Sequence, residues 1–437
     1  MADIAAANRE ALDRLCRARP AWTAVRSGRE ALGLEGRTLL HAGPPIEWAR
    51  MCWPMRGAVK AAALFEGWAR TADEAEALAA SGDIAFAPCH SRGAVGPMAG
   101  VISPGTPLLV VEDAVNRTTA SSFIADGPWG HQLRFGAHGP ETLNGLRWIR
   151  DAVAPALSAV LEREGPIDLA ALMAQAFTMG DEMHMRNAAA TGLLARRLAA
   201  PLVAAVPDAA RLEPIMRLVT RDNDQFFLAW SMCAAKAAAR SIEGLEASTV
   251  VCTMARNGVE FGIRVAGLGE PWFTAPASVV EGVYFPGSGA GDANLDTGDS
   301  AIMETYGLGG LAMASSPAVQ KIVGAKSWED ALATTRDMGE ICVGRNPLFP
   351  IAVLGGEGTP TGIDIRRVVK TSIVPKITTA IAHRAAPRMI GRHRHRADGA
   401  VRGRAPRVRR AVRRRPGLTA WPSAPSSGAP STRIRWC

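Results

Sequence analysis

Several things are scarce in this 437-residue chain, and each scarcity excludes something. Aromatic residues make up 5% of it, with only two tyrosines. Base-stacking platforms for single-stranded nucleic acid are therefore not expected, and the core must come from Ala, Val, Leu, Ile and Met. The seven cysteines (Cys16, Cys52, Cys89, Cys233, Cys252, Cys342 and Cys437) are scattered without a C-x-x-C pair. That spacing predicts neither a zinc framework nor a disulfide ladder. The opening MADIAAANREALDRLCRARP has no apolar signal-peptide core. No apolar stretch reads as a membrane span of about 18 residues. Cytoplasmic residence, with no membrane partner, is the expectation.

Lysine is scarce throughout, at six residues, and the C-terminal region has none. From Ala385 to Cys437 there are 14 arginines, no lysine and one aspartate, so this tail carries +13. The whole chain carries +9, which leaves −4 for residues 1–384. The basic character belongs to the tail, and the mildly acidic body gives no electrostatic reason to expect nucleic acid.

The remaining 384 residues suffice for roughly two or three domains. Residues 1–145 mix helical runs (Ala5–Arg17, Ala58–Ala69, Thr71–Ala80) with Gly/Pro loops and a strand at Leu108–Glu112. Residues 146–240 carry helical apolar spacing with little Gly or Pro. Strands return in 241–384, where Asn257-Gly258 marks a type I′ hairpin and a helix is expected from Ser327. The prediction is an α/β (α+β) fold: two mixed domains, 1–145 and 241–384, with a small helical domain, 146–240, between them, and a disordered Arg-rich tail, 385–437.

Five polar stretches are candidates for chemistry. HAGPPIEWARMCWPMRG places His41 and Arg56 among Gly and Pro, which permit close backbone approach to a ligand. PCHSRGAVGPMAG offers His90 as a proton donor, Arg92 as a cation, and the amides around Gly93 as an anion nest. Its ending lacks the Gly-Lys-Ser/Thr of a P-loop. FTMGDEMHMRNAAAT, read as helical, puts Asp181 and His184 on one face, and Glu182 and Arg186 four apart as a salt bridge. ARNGVEFGIR clusters Arg256, Asn257 and Glu260 at the hairpin, with Arg256 as a fork for a carboxylate or phosphate. PGSGAGDANLDTGDSAIMET opens like a calcium loop, but Thr297 stands where the loop needs Gly and Met303 where it needs Glu. Its Asp292, Asp296, Asp299 and Glu304 remain as possible ligands for a Mg²⁺-bridged phosphate. Beyond that Mg²⁺ no cofactor is expected, and no metal site is assigned.

Taken in order, LLHAGPPIEWARMCWPMRGA, PCHSRGAVGPMAGVISP, MGDEMHMRNAAAT, MARNGVEFGIRV, WFTAPA, YFPGSGAGDANLDTGDSAIMET and TPTGIDIRRVV resemble the YlbE-like family over about Met1 to His383. Relatives continue the Cys-His pair with further histidines, whereas Ser91 and Arg92 follow here, which argues against a metal at this loop. The resemblance implies an α/β fold with a small helical domain. It further implies an oxamate carbamoyltransferase of allantoin breakdown, in which oxalurate and phosphate give oxamate and carbamoyl phosphate. The implied partners are an FdrA-like protein and a further carbamoyltransferase subunit, with a small ureido substrate and phosphate. On that reading His90 or His184 supplies the leaving nitrogen's proton, with Asp181 orienting His184. His41, Arg56, Arg92, Gly93, Arg256, Asn257, Glu260, Asp292 and Asp299 bind substrate or phosphate. The alternative is a scaffold subunit that leaves the chemistry to the FdrA-like partner.

Relatives do not end in arginine. If His-Arg-His-Arg-Ala is encoded CAT-CGT-CAT-CGC-GCC, reading one base later gives Ile-Val-Ile-Ala, an apolar close of the family kind. A frameshift between about Arg384 and Arg392 is therefore expected, with the tail uninformative about function.

Overall fold

The computed structural model describes residues 3–128, 130–280, 282–322 and 327–396. Helices start where the caps dictate. The Asp3 carboxylate accepts the Ala5 amide ahead of helix Ile4–Arg17. Thr71 caps Ala72–Ser81, and Ser327 caps Trp328–Ile341. A side-chain oxygen here satisfies an amide that the first helical turn leaves unpaired.

The first sheet is antiparallel, in the order Thr118–Phe123, Pro107–Asp113, Pro20–Ser27, Ile167–Asp168. Helix Leu228–Arg240 lies across three of its strands. Trp22 of the sheet meets Trp230 of the helix edge to face, 5.2 Å between ring centroids. A second sheet pairs Thr38–His41 parallel to Ala85–Pro88, with helices Trp53–Phe65 and Ala72–Ser81 in the crossover. This is the arrangement a parallel pair requires.

The stretch 146–240 is helical as expected: a run from Pro140 to Glu164 with a π turn at Ile149–Val153, then Leu169–Thr178, Ala188–Ala205, Ala209–Thr220 and Leu228–Arg240. These helices share one core with the first sheet and with residues near 302–351, so Leu157, Met173, Trp22, Tyr306 and Phe349 belong to a single cluster. By length and composition Ala188–Ala205 could cross a membrane, contrary to the sequence expectation. Its Leu194, Leu198 and Leu202 are buried in that cluster.

The third sheet runs Phe273–Pro276, Glu260–Val265, Val251–Asn257, Thr297–Gly298. Its hairpin turns at Gly258-Val259, and only Gly258, at φ +78°, has a positive φ there. A type I′ turn needs two such residues, so this is a Gly-first turn, and Asn257 serves as the last strand residue. Helix Ile4–Arg17 packs on the hairpin Cys342–Ile351/Glu357–Ile363. Asn8 of that helix donates to Thr249 (2.9 Å) and Asp364 (3.2 Å).

Disorder from residue 385 is not what the structure shows. Met389–Arg396 is a strand between Lys376–Ala382 and Val283–Tyr284. Ladder hydrogen bonds use the backbone, which is indifferent to side-chain charge, and Ile390 supplies a buried anchor. Residues 397–437, where most of the arginine-rich tail falls, lie outside the described residues.

Candidate functional site

Two histidines face two carboxylates of one segment. Asp299 and Glu304 stand five residues apart, each fully buried, in the stretch from strand Thr297–Gly298 to helix Ile302–Thr305.

Asp299 ties loops together. It accepts the amide of Gly43 at 2.7 Å and that of Gly96 at 2.9 Å. Its own amide donates to the Gly96 carbonyl at 3.0 Å. The nest around this carboxylate takes one amide from each of two loops, Gly43 and Gly96, and the anion is the chain's own; the Gly93 amide donates instead to the His90 carbonyl at 3.4 Å. Gly43 has φ +89°, and a Cβ there would lie 2.5 Å from the Arg256 carbonyl carbon. His90 sits beside the nest, with Nε2 3.3 Å from Asp299 Oδ1. The approach lacks hydrogen-bond alignment, and neither ring nitrogen has a hydrogen-bond partner. Burial holds His90 below the ordinary imidazole value, against the pull of Asp299. His41 is likewise buried and pushed down by desolvation, and its Nδ1 lies 2.9 Å from the Ala42 carbonyl. The residue lines a surface hollow with Glu47 and Arg50.

Glu304 serves an open site. Its carboxylate faces His184 Nδ1 at 2.8 and 3.1 Å, and accepts the amides of Gly310 (3.0 Å) and Thr378 (3.1 Å). His184 lines a cavity of about 320 Å³, together with Arg134, Asn223, Gln225 and Ser300. A second cavity of about 600 Å³ adjoins it, sharing Arg134, Asp222, Asn223 and Gln225. With Nδ1 fixed by Glu304, Nε2 is the nitrogen left for a ligand.

The loop bearing His184 is not helical. Helix Leu169–Thr178 stops before Gly180 (φ +93°), Met183 has φ +71°, and the next helix begins at Ala188. Asp181 therefore does not share a face with His184. It pairs with Arg186 and accepts the Ala190 amide at 2.8 Å, which corrects its expected role of orienting the imidazole. The predicted Glu182–Arg186 bridge is replaced by a backbone arrangement. Glu182 accepts the amides of His184 (2.9 Å), Met185 (2.6 Å) and Arg186 (3.2 Å), and so shapes the loop. Burial pushes its carboxyl up to about 7, against those donors.

The other expected ligands for anions are already engaged. Arg256 is fully buried and forks onto Asp296 at 2.9 and 3.1 Å, with further bonds to the Gly298 carbonyl (2.9 Å) and Thr379 (3.0 Å). Its charge is spent on a structural pair rather than on a ligand. Asn257 accepts the amides of Val259 and Glu260 and donates to the Pro44 carbonyl, locking the hairpin to the His41 loop. Glu260 faces Arg50 at 3.6 Å. Arg56 donates to the carbonyls of Met51 (3.0 Å) and Ala49 (2.9 Å) and stacks over Trp48. Arg92 is exposed on the surface. Gly93 packs under the Arg240 guanidinium, where a Cβ would come within 2.5 Å of it. Asp292 accepts the Gly289 amide at 3.0 Å and caps a short turn.

Asp292, Asp296 and Asp299 therefore do not converge on a common point for Mg²⁺. Among the described residues no group of three or more His, Cys, Asp or Glu side chains could hold a metal ion.

Of the twelve residues singled out, His184 alone lines either of these two adjoining cavities. Arg134, Asn223, Gln225 and Ser300 carried no sequence signal of their own. The polar run Arg221 to Gln225 between two apolar helices was the one available hint. It is fastened to the His184 loop by Gln225 Nε2 to the Met185 carbonyl, 2.7 Å, and to helix Ala188–Ala205 by Thr191 Oγ1 to the Asp224 carbonyl, 3.1 Å. Arg134 is held by Asp126, which accepts its amide at 2.8 Å and faces its guanidinium at 3.7 Å.

Fold and site define a mixed α/β protein with a histidine–glutamate pair opening on a polar cleft. The whole fold is found in the crystal structure of a conserved protein of unknown function from Enterococcus faecalis V583, at a TM-score of 0.90 and 39% identity, covering 93% of this chain and 97% of that one. Residues 84–300 match the family model described as oxamate carbamoyltransferase subunit AllG. The chain is 45% identical to the oxamate carbamoyltransferase subunit AllG of Escherichia coli (strain K12) over 388 residues, 88% of this chain and 92% of that protein. It is 44% identical to the uncharacterized protein YahG of the same organism over 384 residues, 88% and 81% of the two. The chain belongs to the AllG family.

Proposed function

We propose that this chain is a subunit of an oxamate carbamoyltransferase-type assembly, working with an FdrA-like protein and one further subunit, and that the His184 cavity is where a ureido acid meets phosphate. The observation that carries this reading is His184, held by Glu304 through Nδ1, on the wall of a cavity of about 320 Å³. Family membership supplies the reaction class.

The chemistry asks for one proton to move. A phosphate oxygen attacks the carbamoyl carbon of oxalurate, and the bond from that carbon to the oxamoyl nitrogen breaks. The proton lost by hydrogen phosphate ends on that nitrogen, giving oxamate and carbamoyl phosphate. Nε2 of His184 takes the proton and returns it to the leaving nitrogen, while Glu304 stabilises the imidazolium between the two transfers. Both substrates are anions. Arg134, 14% exposed and fixed by Asp126, is the positioned cation of the wall, and Arg221 is a mobile-length one at its rim.

The test is His184→Gln in the reconstituted assembly, assayed for phosphate-dependent carbamoyl phosphate. A general acid–base of this kind is worth about 10²- to 10⁴-fold. An unchanged rate, with the assembly intact, removes the chemistry from this subunit and leaves it a scaffold.

A further inference from the structure

Helix Ala188–Ala205 is apolar but for Thr191, Arg196 and Arg197, yet only 39% of it is buried. Leu194, Leu198 and Leu202 are its largest buried apolar side chains. The opposite side faces an open trough of about 740 Å³, larger than the His184 cavity. Ala171, Leu172 and Gln175 of helix Leu169–Thr178 form one wall, and Leu193, Ala200 and Pro201 form the other. The wall from helix Leu169–Thr178 is about one turn, ~6 Å, long, and the wall from Leu193 to Pro201, with lining positions three and four residues apart, is about two turns, ~12 Å. Pro201 has no amide proton, which leaves the Arg197 carbonyl without its helical donor.

The rim is basic. Arg163, Arg196 and Arg197 line it against Glu164 and Asp168. The Asp168 carboxylate is occupied as a helix cap, accepting the Ala171 amide at 2.9 Å. Glu164 is shared between Arg163 (3.7 Å) and Arg197 (4.0 Å). Arg196 has no ion pair among the described residues.

We infer that this trough is the docking site for an amphipathic helix carrying acidic side chains, supplied by another subunit of the same transferase assembly. The inference rests on the subunit reading above, which provides the partner. Two turns of the incoming helix lay their apolar face over Leu172 and Leu193. Its acidic flank meets Arg196 and Arg197.

The experiment uses the full chain and the co-expressed remaining subunits of the assembly, with sedimentation velocity as the measurement. Wild type is expected to enter a mixed complex whose affinity falls with salt. The double variant Arg196→Glu, Arg197→Glu is expected to weaken association roughly 100-fold. Ala200→Trp, which fills the trough without changing charge, is expected to weaken it roughly tenfold. Circular dichroism confirms that both remain folded, and Arg211→Glu, on an exposed helix face elsewhere, serves as the neutral control. Wild-type affinity in both variants overturns the trough while the subunit reading stands. If wild type joins no complex, the subunit reading fails first. If the variants instead abolish self-association of the isolated chain, the occupant is a second copy, and the proposed partner is wrong.

Discussion

Asp299 and Glu304 make a controlled comparison within one molecule. Both are fully buried carboxylates, both accept two backbone amides, and both face a histidine. At Asp299 the histidine is sealed: His90 has no exposed ring atom and no hydrogen-bond partner. At Glu304 the histidine reaches a cavity. Only Glu304 is hydrogen-bonded to its imidazole, and only that imidazole reaches a cavity; bonding and access together separate a structural knot from a candidate site. A buried ionic group that meets no cavity is best explained by what it holds together.

The largest expected effect breaks the closed half of this comparison. Asp299→Ala orphans the amides of Gly43 and Gly96 and separates three loops. Removing one partner from a buried charged network costs about 3–5 kcal/mol, a shortfall that thermal or urea unfolding would register. Glu304→Gln keeps the shape and most hydrogen bonds, so its loss should appear chiefly in turnover. If Asp299→Ala were as stable as wild type, the nest would be free to serve a ligand, and the two carboxylates would be equivalent after all.

How far this was legible in the sequence follows from the same contrast. The helices with caps at Asp3, Thr71 and Ser327, and the hairpin around Gly258, are set by neighbours within four residues. Such local signals are read directly. His184 was found because a polar residue in an apolar, Met-rich stretch is costly to bury. Its partner was missed because Glu304 lies 120 residues away, whereas Asp181 lies three away and looked helical. Gly180 and Met183, both at positive φ, end that helical reading. Arg256 misled in the opposite way. A guanidinium beside a turn suggests an anion, and the anion turned out to be Asp296, 40 residues on. Spacing finds what a helix or strand brings together, but not which distant carboxylate fills a nest.

A smaller effect sharpens the comparison through pH. Burial lowers the imidazole of His90 below its ordinary value, so below about pH 6.5 the unfolded chain binds a proton that the folded chain resists. The stability held at neutral pH is therefore lost as pH falls through that range, by at most about 1.4 kcal/mol per pH unit for one group. His41 behaves likewise. Glu182 works in the opposite sense: with its carboxyl raised to about 7, its cost is relieved as pH falls from 7 toward the unfolded value near 4.5. The net curve mixes these terms, so the difference between wild type and His90→Asn is the quantity to measure. That difference should shrink from pH 7 to pH 5 in unfolding experiments. A constant difference would mean that His90 titrates normally and is not sealed.

The smallest expected effect is also the most direct check on reading function from sequence order. Arg92 follows His90 by two residues and was the natural cation for an anionic substrate. In the structure it is exposed and lines neither cavity of the cleft. An exposed substitution of this kind stays within about 0.5 kcal/mol. Arg92→Ala should therefore leave unfolding unchanged and carbamoyl phosphate formation within about twofold. Arg134→Ala, from a position that sequence order did not flag, should lower kcat/KM at least about tenfold by removing one charge-assisted contact to an anion. The pair of variants, assayed side by side in the same assembly, inverts the ranking that proximity along the chain would give. If Arg92→Ala were the damaging one, the loop beside His90 would take part in the chemistry, and the sealed histidine rather than the accessible one would mark the site.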